Sequence, residues 1–214
     1  MENSIVITCH NYACYLGRAI RSAINQNYPK NNYEILVVND ASTDETREVM
    51  DSYIGYIRPI HLEKNLGLSE ARNIGIKRAV GKNIVHVDAD DFISENMILI
   101  ESLFLKQHND WDAASCDYDL IDNEENLLEI KSGEKDPIAC GILFRKDRLF
   151  SIGLYDPKFR AMEDVDLRQR FEEKYKIGNI NLSLYRYRKH EKNMTQNKPL
   201  IEYYTDLLND KNNK

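Results

Sequence analysis

The sequence predicts an α/β protein: a mostly parallel sheet flanked by helices, with a small antiparallel portion toward the C-terminal end. Three observations carry this. Short apolar runs alternate with segments whose apolar residues recur every three or four positions, the periodicities of strand and helix. Over the first half of the chain the alternation is regular, which is the spacing of βαβ units. After about residue 110 it gives way to neighbouring strand-like runs joined by an acidic turn. The 214 residues suit one domain with a sizeable core, divided at about 1–110, 111–195 and a helical tail at 196–214.

Residues 4–8 are a buried-strand candidate, and Leu16, Ala19, Ile20, Ala23 and Ile24 then line one helix face. Tyr28-Pro29 ends that helix, because a residue before proline is pushed out of the helical region. Strand 34–39 follows, then a helix marked by Thr46, Val49, Met50, Tyr53 and Ile54, then strand 58–62. Residues 69–80 read as a helix capped by Gly81, 84–87 as the fourth strand and 95–105 as the fourth helix. Beyond them, 113–130 reads as antiparallel strands around Asp122-Asn123-Glu124-Glu125. Residues 145–151 and 165–176 read as helices, 179–187 as a strand and 201–208 as an amphipathic helix.

Composition narrows the function. A net charge of −6 excludes a general nucleic-acid binder, which would carry a basic stripe. Cys9, Cys14, Cys116 and Cys140 form no CxxC pair and no zinc pattern, so reduced thiols in a cytoplasmic protein are the simplest account. The N-terminus shows no signal-peptide pattern, and no apolar run approaches the ~20 residues of a membrane span. The terminal helix, with Leu200, Ile201, Tyr204, Leu207 and Leu208, reads most plainly as packing on the domain. A homodimer contact or a peripheral membrane contact is its alternative.

The chemistry concentrates where strands end. Ile84-Val85-His86-Val87 runs into Asp88-Ala89-Asp90-Asp91, three carboxylates within four residues. Carboxylates that close repel one another, and a hard divalent cation such as Mg²⁺ or Mn²⁺ offsets them. Mg²⁺ is typically held by one or two carboxylates plus substrate phosphates, so the segment reads as a metal–diphosphate site; a solvated acidic turn is the alternative. Thr8-Cys9-His10-Asn11-Tyr12 and Asn39-Asp40-Ala41-Ser42-Thr43-Asp44 end two further strands. In parallel α/β sheets ligands sit beyond the carboxyl ends of strands, so the three clusters are expected on one rim. Ser42, Thr43 and Asp44 read as helix caps.

Five ordered motifs now carry a family resemblance. The stretch 5–28, Val37 to Asp44, Asn65-Leu66-Gly67-Leu68-Ser69-Glu70-Ala71-Arg72-Asn73-Ile74-Gly75, Asp88 to Asp91, and Gly153-Leu154-Tyr155-Asp156 with Glu163-Asp164-Val165-Asp166-Leu167 resemble the family 2 glycosyltransferases. The resemblance implies a GT-A fold, Rossmann-like with a small antiparallel acceptor side. It implies an inverting, metal-dependent transfer from a nucleotide-diphospho-sugar, with a UDP-sugar as donor. The implied acceptor is a saccharide or glycolipid in cell-surface polysaccharide assembly. It places Asp40 on the base, His10 where the family often has a base-packing tyrosine, and Thr8, Asn11 and Ala89 in the nucleotide pocket. Asp88 would approach the ribose, Asp90 the divalent cation (Mn²⁺ or Mg²⁺), and Asp91 would support the loop. His190 would complete the metal shell or touch the diphosphate. Asp164 would be the general base and Glu163 would position the acceptor. Arg72 is a candidate contact to the nucleotide, but an ion pair with a carboxylate from its helix face is the favoured reading. Thr8, Asn39 and Ala41 replace a common proline, aspartate and glycine, which bears on the base pocket more than on the reaction. His86 reads as a satisfied core histidine. The rival reading is a non-catalytic nucleotide-sugar-binding subunit of a glycan-assembly complex.

Overall fold

The computed structural model describes residues 1–191 and 193–212, so the last two positions of the predicted tail lie outside the described residues. The chain opens as β1 (Asn3–Cys9), α1 (Ala13–Ile24), β2 (Tyr33–Asn39), α2 (Thr46–Asp51), β3 (Arg58–His61), α3 (Leu68–Arg78) and β4 (Asn83–Asp88). Within this part every strand pairing is parallel, in the order β3-β2-β1-β4. After β4 come β5 (Phe92–Ile93), α4 (Met97–Gln107), β6 (Ala113–Ile121), β7 (Leu127–Lys131), β8 (Ile142–Arg145), α5 (Lys146–Ser151), α6 (Glu163–Glu172), β9 (Ile177–Arg188) and α7 (Lys198–Asn212). The sheet continues β8-β6-β9-β5, with β7 beside β6. β8 runs antiparallel to β4 and β6, whereas β6 and β9 pair in parallel.

Alternation along each central strand feeds two apolar layers. Ile5 and Ile7 of β1 pack with Leu16 and Ile20 of α1, while Val6 between them packs with Ala71 and Ile76 of α3. A sheet covered on both faces needs near-continuous apolar strands, which the runs at 4–8, 34–39 and 84–87 supply. Burying each Leu or Ile side chain contributes roughly 1.5–3 kcal/mol. Gly75 lets α3 press onto the sheet: a Cβ there would meet Val6 Cγ1 at 2.4 Å. That approach sets the depth of Arg72, almost one turn earlier on the helix.

Several expectations are corrected. β5 and β8 are absent from the sequence reading; the first is two residues long and the second four, too short for periodicity to declare. α3 ends at Arg78, and Gly81 lies instead against Asn3 and Ser4, where a Cβ would fall 2.6 Å from backbone. His86 is buried, but neither ring nitrogen has a hydrogen-bond partner; burial and the Arg72 charge hold it neutral. The terminal helix packs on the domain, with Tyr204 and Leu208 against Phe159 and Ala161. Among the described residues no helix is long and apolar enough to cross a membrane.

Glu101 is the anomaly of the core. It is fully buried on α4, with the Cys116 thiol beside it and no cation among the described residues. Burial pushes its carboxyl far above the usual carboxylate range. A raised folded-state value means the native state keeps a proton that the unfolded state releases above about pH 4.3, so stability falls as pH rises beyond that point. Glu101→Leu is therefore expected to raise the unfolding free energy by about 1–3 kcal/mol at pH 8 and by less at pH 5. Urea titrations at the two pH values check this.

Candidate active site

The parallel strands deliver their carboxyl ends to one rim. Thr8 pairs with Val38 on one side and Asp88 on the other, so the three predicted clusters meet around β1. They line a cavity of about 630 Å³. Thr8, His10, Asp40, Arg72, Asp88, Ala89, Asp90, Glu163 and Asp164 all border it. Asn11 and His190 are not among its described lining residues. Asn11 turns away, its Oδ1 accepting the Thr43 N–H (2.8 Å), and so ties the loop after β1 to the loop after β2. The N-cap of α2 is Glu45 rather than any of the three predicted residues, but Asp44 just before it accepts from the Thr46 and Ala13 backbone N–H groups (3.1 and 3.0 Å) at the starts of α2 and α1.

Asp40 is buried and already engaged. Its two oxygens accept the Leu66 and Gly67 backbone N–H groups (2.7 and 2.9 Å) at the start of α3. The His10 ring sits 2.7 Å through Nδ1 from the Asp40 carbonyl. Ala41 beside it holds φ 54°, and Asn11 holds φ 59°. Such left-handed backbone is costly for side-chain-bearing residues and tends to collect at functional sites. A glycine at the position of Ala41 would adopt this backbone without the Cβ penalty.

Arg72 carries the electrostatics. Only 1 % exposed, it donates through Nη2 to Asp88 Oδ1 (2.9 Å) and through Nη1 to Glu163 Oε1 (2.7 Å). Its guanidinium carbon lies 5.4 Å from the Tyr155 ring centre, and Nη2 is 3.6 Å from Cys140 Sγ. The ion pair favoured by the sequence reading is thus what the structure contains. The fork joins the strand end to the start of α6, two segments 91 positions apart in the chain.

The acids around it differ by environment. Asp91 is fully enclosed: Tyr185 Oη donates to Oδ2 (2.7 Å) and the Arg188 N–H to Oδ1 (2.8 Å). Burial, then Asp90 and Asp88, push its carboxyl well up. Asp90 reaches the cavity, with His190 Nε2 2.9 Å from its Oδ2. The His190 ring stacks on Tyr15 at 5.0 Å between centroids. Asp90 is also raised, by burial first and Asp88 second. Glu163 and Asp164 open α6 behind Met162, which holds φ 61°. Burial pushes Glu163 up to about 7 against the lowering effect of Arg72, and it raises half-buried Asp164 as well.

Sequence reasoning missed the far wall. Ile138, Ala139 and Cys140, together with Arg160 and Asn193, line the cavity, and Leu200 and Ile201 reach it from α7. These positions sit on irregular loops or on a helix that looked like simple packing. The apolar ones gave no chemical signal, and Arg160 and Asn193 stood in no motif that marked them.

A divalent cation suits the groups present. Asp90 supplies a hard oxygen and His190 an imidazole nitrogen 2.9 Å away, a donor pair that diphosphate oxygens and water can complete. Among the described residues no three His, Cys, Asp or Glu side chains form a set that could hold a metal by themselves.

The comparisons with known proteins fit this architecture. Residues 4–171 match the family described as glycosyl transferase family 2. An uncharacterised glycosyltransferase of Rickettsia bellii is 29% identical over 96% of this chain and 31% of its own. The poly(ribitol-phosphate) beta-N-acetylglucosaminyltransferase TarS of Staphylococcus aureus is 30% identical over 51% of this chain and 20% of its own. The crystal structure of TarS 1–349 with UDP-GlcNAc gives a TM-score of 0.78 at 21% identity, covering 92% of this chain and 61% of that one. Mannosyltransferase PcManGT from Pyrobaculum calidifontis, in complex with GDP-Man and Mn²⁺, gives 0.73 at 16% identity over 90% and 58%. The fold is that of the GT-A glycosyltransferases. The chain belongs to glycosyl transferase family 2, and it spans about a third of the length of the Rickettsia bellii and Rickettsia conorii relatives it matches.

Arg72 is expected to be structural as well as local. Arg72→Met strands the buried Glu163 and the half-exposed Asp88 without their cation, at a cost of about 3–5 kcal/mol. Arg72→Lys retains the charge but lacks the fork, and it is expected to recover only part of that loss. Urea denaturation of both variants at pH 7 checks the order.

Proposed function

We propose that this protein transfers a sugar from a nucleotide-diphospho-sugar, with a UDP-sugar as donor, to a hydroxyl of a saccharide or glycolipid, with inversion and with the help of Mn²⁺ or Mg²⁺. The observation that carries this is that Asp90 and Asp164 border one cavity while Arg72 ties the segments holding them together. TarS, of similar fold, is described as a poly(ribitol-phosphate) N-acetylglucosaminyltransferase and is seen with UDP-GlcNAc, which makes that nucleotide sugar the first donor to try. Assembly of a cell-surface polysaccharide in the cytoplasm is the setting proposed.

Each residue then has a task. Asp40, set rigidly by two backbone amides, offers its remaining lone pairs to the base edge, with His10 and Thr8 beside it and Ala89 leaving room for the ribose near Asp88. Asp90 and His190 hold the divalent cation, which when bound screens the charge developing on the departing diphosphate. Asp164 takes the proton from the acceptor hydroxyl while Glu163, anchored to Arg72, fixes the helix start. A single base opposite the leaving group gives in-line displacement and hence inversion. Holding donor and acceptor in register supplies up to ~7–11 kcal/mol of the barrier reduction.

Burial is what makes Asp164 a better base than a surface aspartate, because a raised value brings its basicity toward neutral pH. The base works deprotonated, so kcat/KM is expected to rise with pH along an acid limb lying above the ordinary carboxylate range. Glu163, at about 7, contributes to that limb as one member of an interacting pair. In Glu163→Gln the limb is expected to move to lower pH.

Calorimetry with UDP and turnover of UDP-GlcNAc, each with and without Mn²⁺, test the whole reading. Asp164→Asn is expected to lose transfer by about 10²–10⁴-fold while UDP affinity stays unchanged. A wild-type protein that binds UDP but turns over no nucleotide sugar would instead be a binding subunit of a larger glycan-assembly complex.

A further inference from the structure

Arg188 ends β9 and is almost wholly buried, yet none of the roles above uses it. Its backbone N–H donates to Asp91 Oδ1 (2.8 Å) and its Nε to the Asp90 carbonyl (2.9 Å). Nη1 donates to the carbonyls of Asp122 and Asn123 (3.2 and 2.8 Å), and Nη2 to Glu125 Oε1 (3.0 Å). The carbonyl of Arg188 accepts from Asn193 Nδ2 (3.0 Å), an amide that also lies 3.4 Å from Asp90 Oδ2 and whose Oδ1 accepts the His190 N–H. Asp90 is thus tied to Arg188 through the main chain, and His190 through Asn193.

We propose that Arg188 is a positioning residue: it holds Asp90 and His190 in the geometry that lets them meet a divalent cation and the donor diphosphate together, and it couples both to the turn at 122–125. The inference rests on the donor site proposed above. Groups behind a metal ligand orient it, and their loss typically weakens metal affinity about 10- to 100-fold. The alternative is that Arg188 only balances the acids around it. The geometry favours positioning, because its side-chain donors go to three backbone carbonyls and one exposed carboxylate. The 122–125 turn is braced from the far side too, where Arg18 pairs with Glu125 (3.1 Å) and Tyr15 Oη donates to Asn123 Oδ1 (3.0 Å). A fork with donors at fixed angles can span these acceptors; an ammonium on a flexible stem cannot.

The test is the factor by which Mn²⁺ strengthens UDP binding, measured by calorimetry on wild type, Arg188→Lys and Glu125→Gln, with thermal melts alongside. Arg188→Lys keeps the charge; it is expected to bind UDP without metal within about twofold of wild type while the Mn²⁺ enhancement falls about 10-fold or more. Glu125→Gln changes an exposed partner and leaves the fold intact, and the same enhancement is expected to fall about two- to fivefold. Enhancement unchanged in a folded Arg188→Lys overturns the inference. So does an equal loss of metal-free and metal-dependent binding, which is the mark of a merely structural residue. If Arg188→Lys does not fold, Glu125→Gln decides, and an unchanged enhancement there overturns the proposal. Absence of UDP binding by wild type overturns the donor-site reading and this inference with it, whereas wild-type binding with unaltered variants overturns the inference alone.

Discussion

One buried guanidinium holds the site together. Arg72 cannot shed its charge in the core, so its burial is tolerable only with carboxylates within hydrogen-bond reach. Asp88 and Glu163 meet that need from opposite walls. Chain segments distant in sequence therefore come together because a desolvated charge requires it, and the strand-end acids face the helix-start acids as a consequence. Close contact of α3 with β1 at Gly75 is the packing condition that makes this reach possible.

The sheet supplies the second constraint. Parallel strands send all their carboxyl ends to one edge, and the first three clusters of polar residues sit there with no apolar strand interrupted to make room. The antiparallel insertion of β8 between β4 and β6 then brings the 138–140 segment up beside that edge, closing the cavity from a side the parallel half does not reach. α7 finishes the wall with Leu200 and Ile201 while its own apolar side packs on Phe159 and Ala161.

What was legible in the sequence follows the same division. Elements of the parallel half were readable because long apolar runs and helical stripes both report burial on a sheet covered on two faces. The carboxylates at 88–91 were readable because clustered charge is costly and so conspicuous, whereas those at 163–164 were picked out only by the family resemblance. Arg72 was readable only as a choice between nucleotide and ion pair, since a helix face does not reveal what lies across it; the structure shows two carboxylates there. Cys140, Arg160 and Asn193 were not readable, because their place depends on loop paths that no periodicity encodes. β5 and β8 escaped because their pairing comes from tertiary partners rather than from propensity.

Environment finally separates acids that are alike in sequence. Asp91 receives a phenol and a backbone N–H and sits fully enclosed, so it braces the turn rather than facing a ligand. Asp88 and Glu163 are taken up by Arg72, and Asp40 by two amides. Among the described residues, Asp90 and Asp164 are the two acids left at the cavity whose carboxylates are not claimed by a guanidinium or by backbone amides of another loop. Two acids with different surroundings acquire different work when one lies beside an imidazole and the other at a helix start. On the proposed reading the first fits a cation that travels with a diphosphate, and the second fits a proton that must leave a hydroxyl. The separation of roles is then built by the partners of their neighbours, not by the acids themselves.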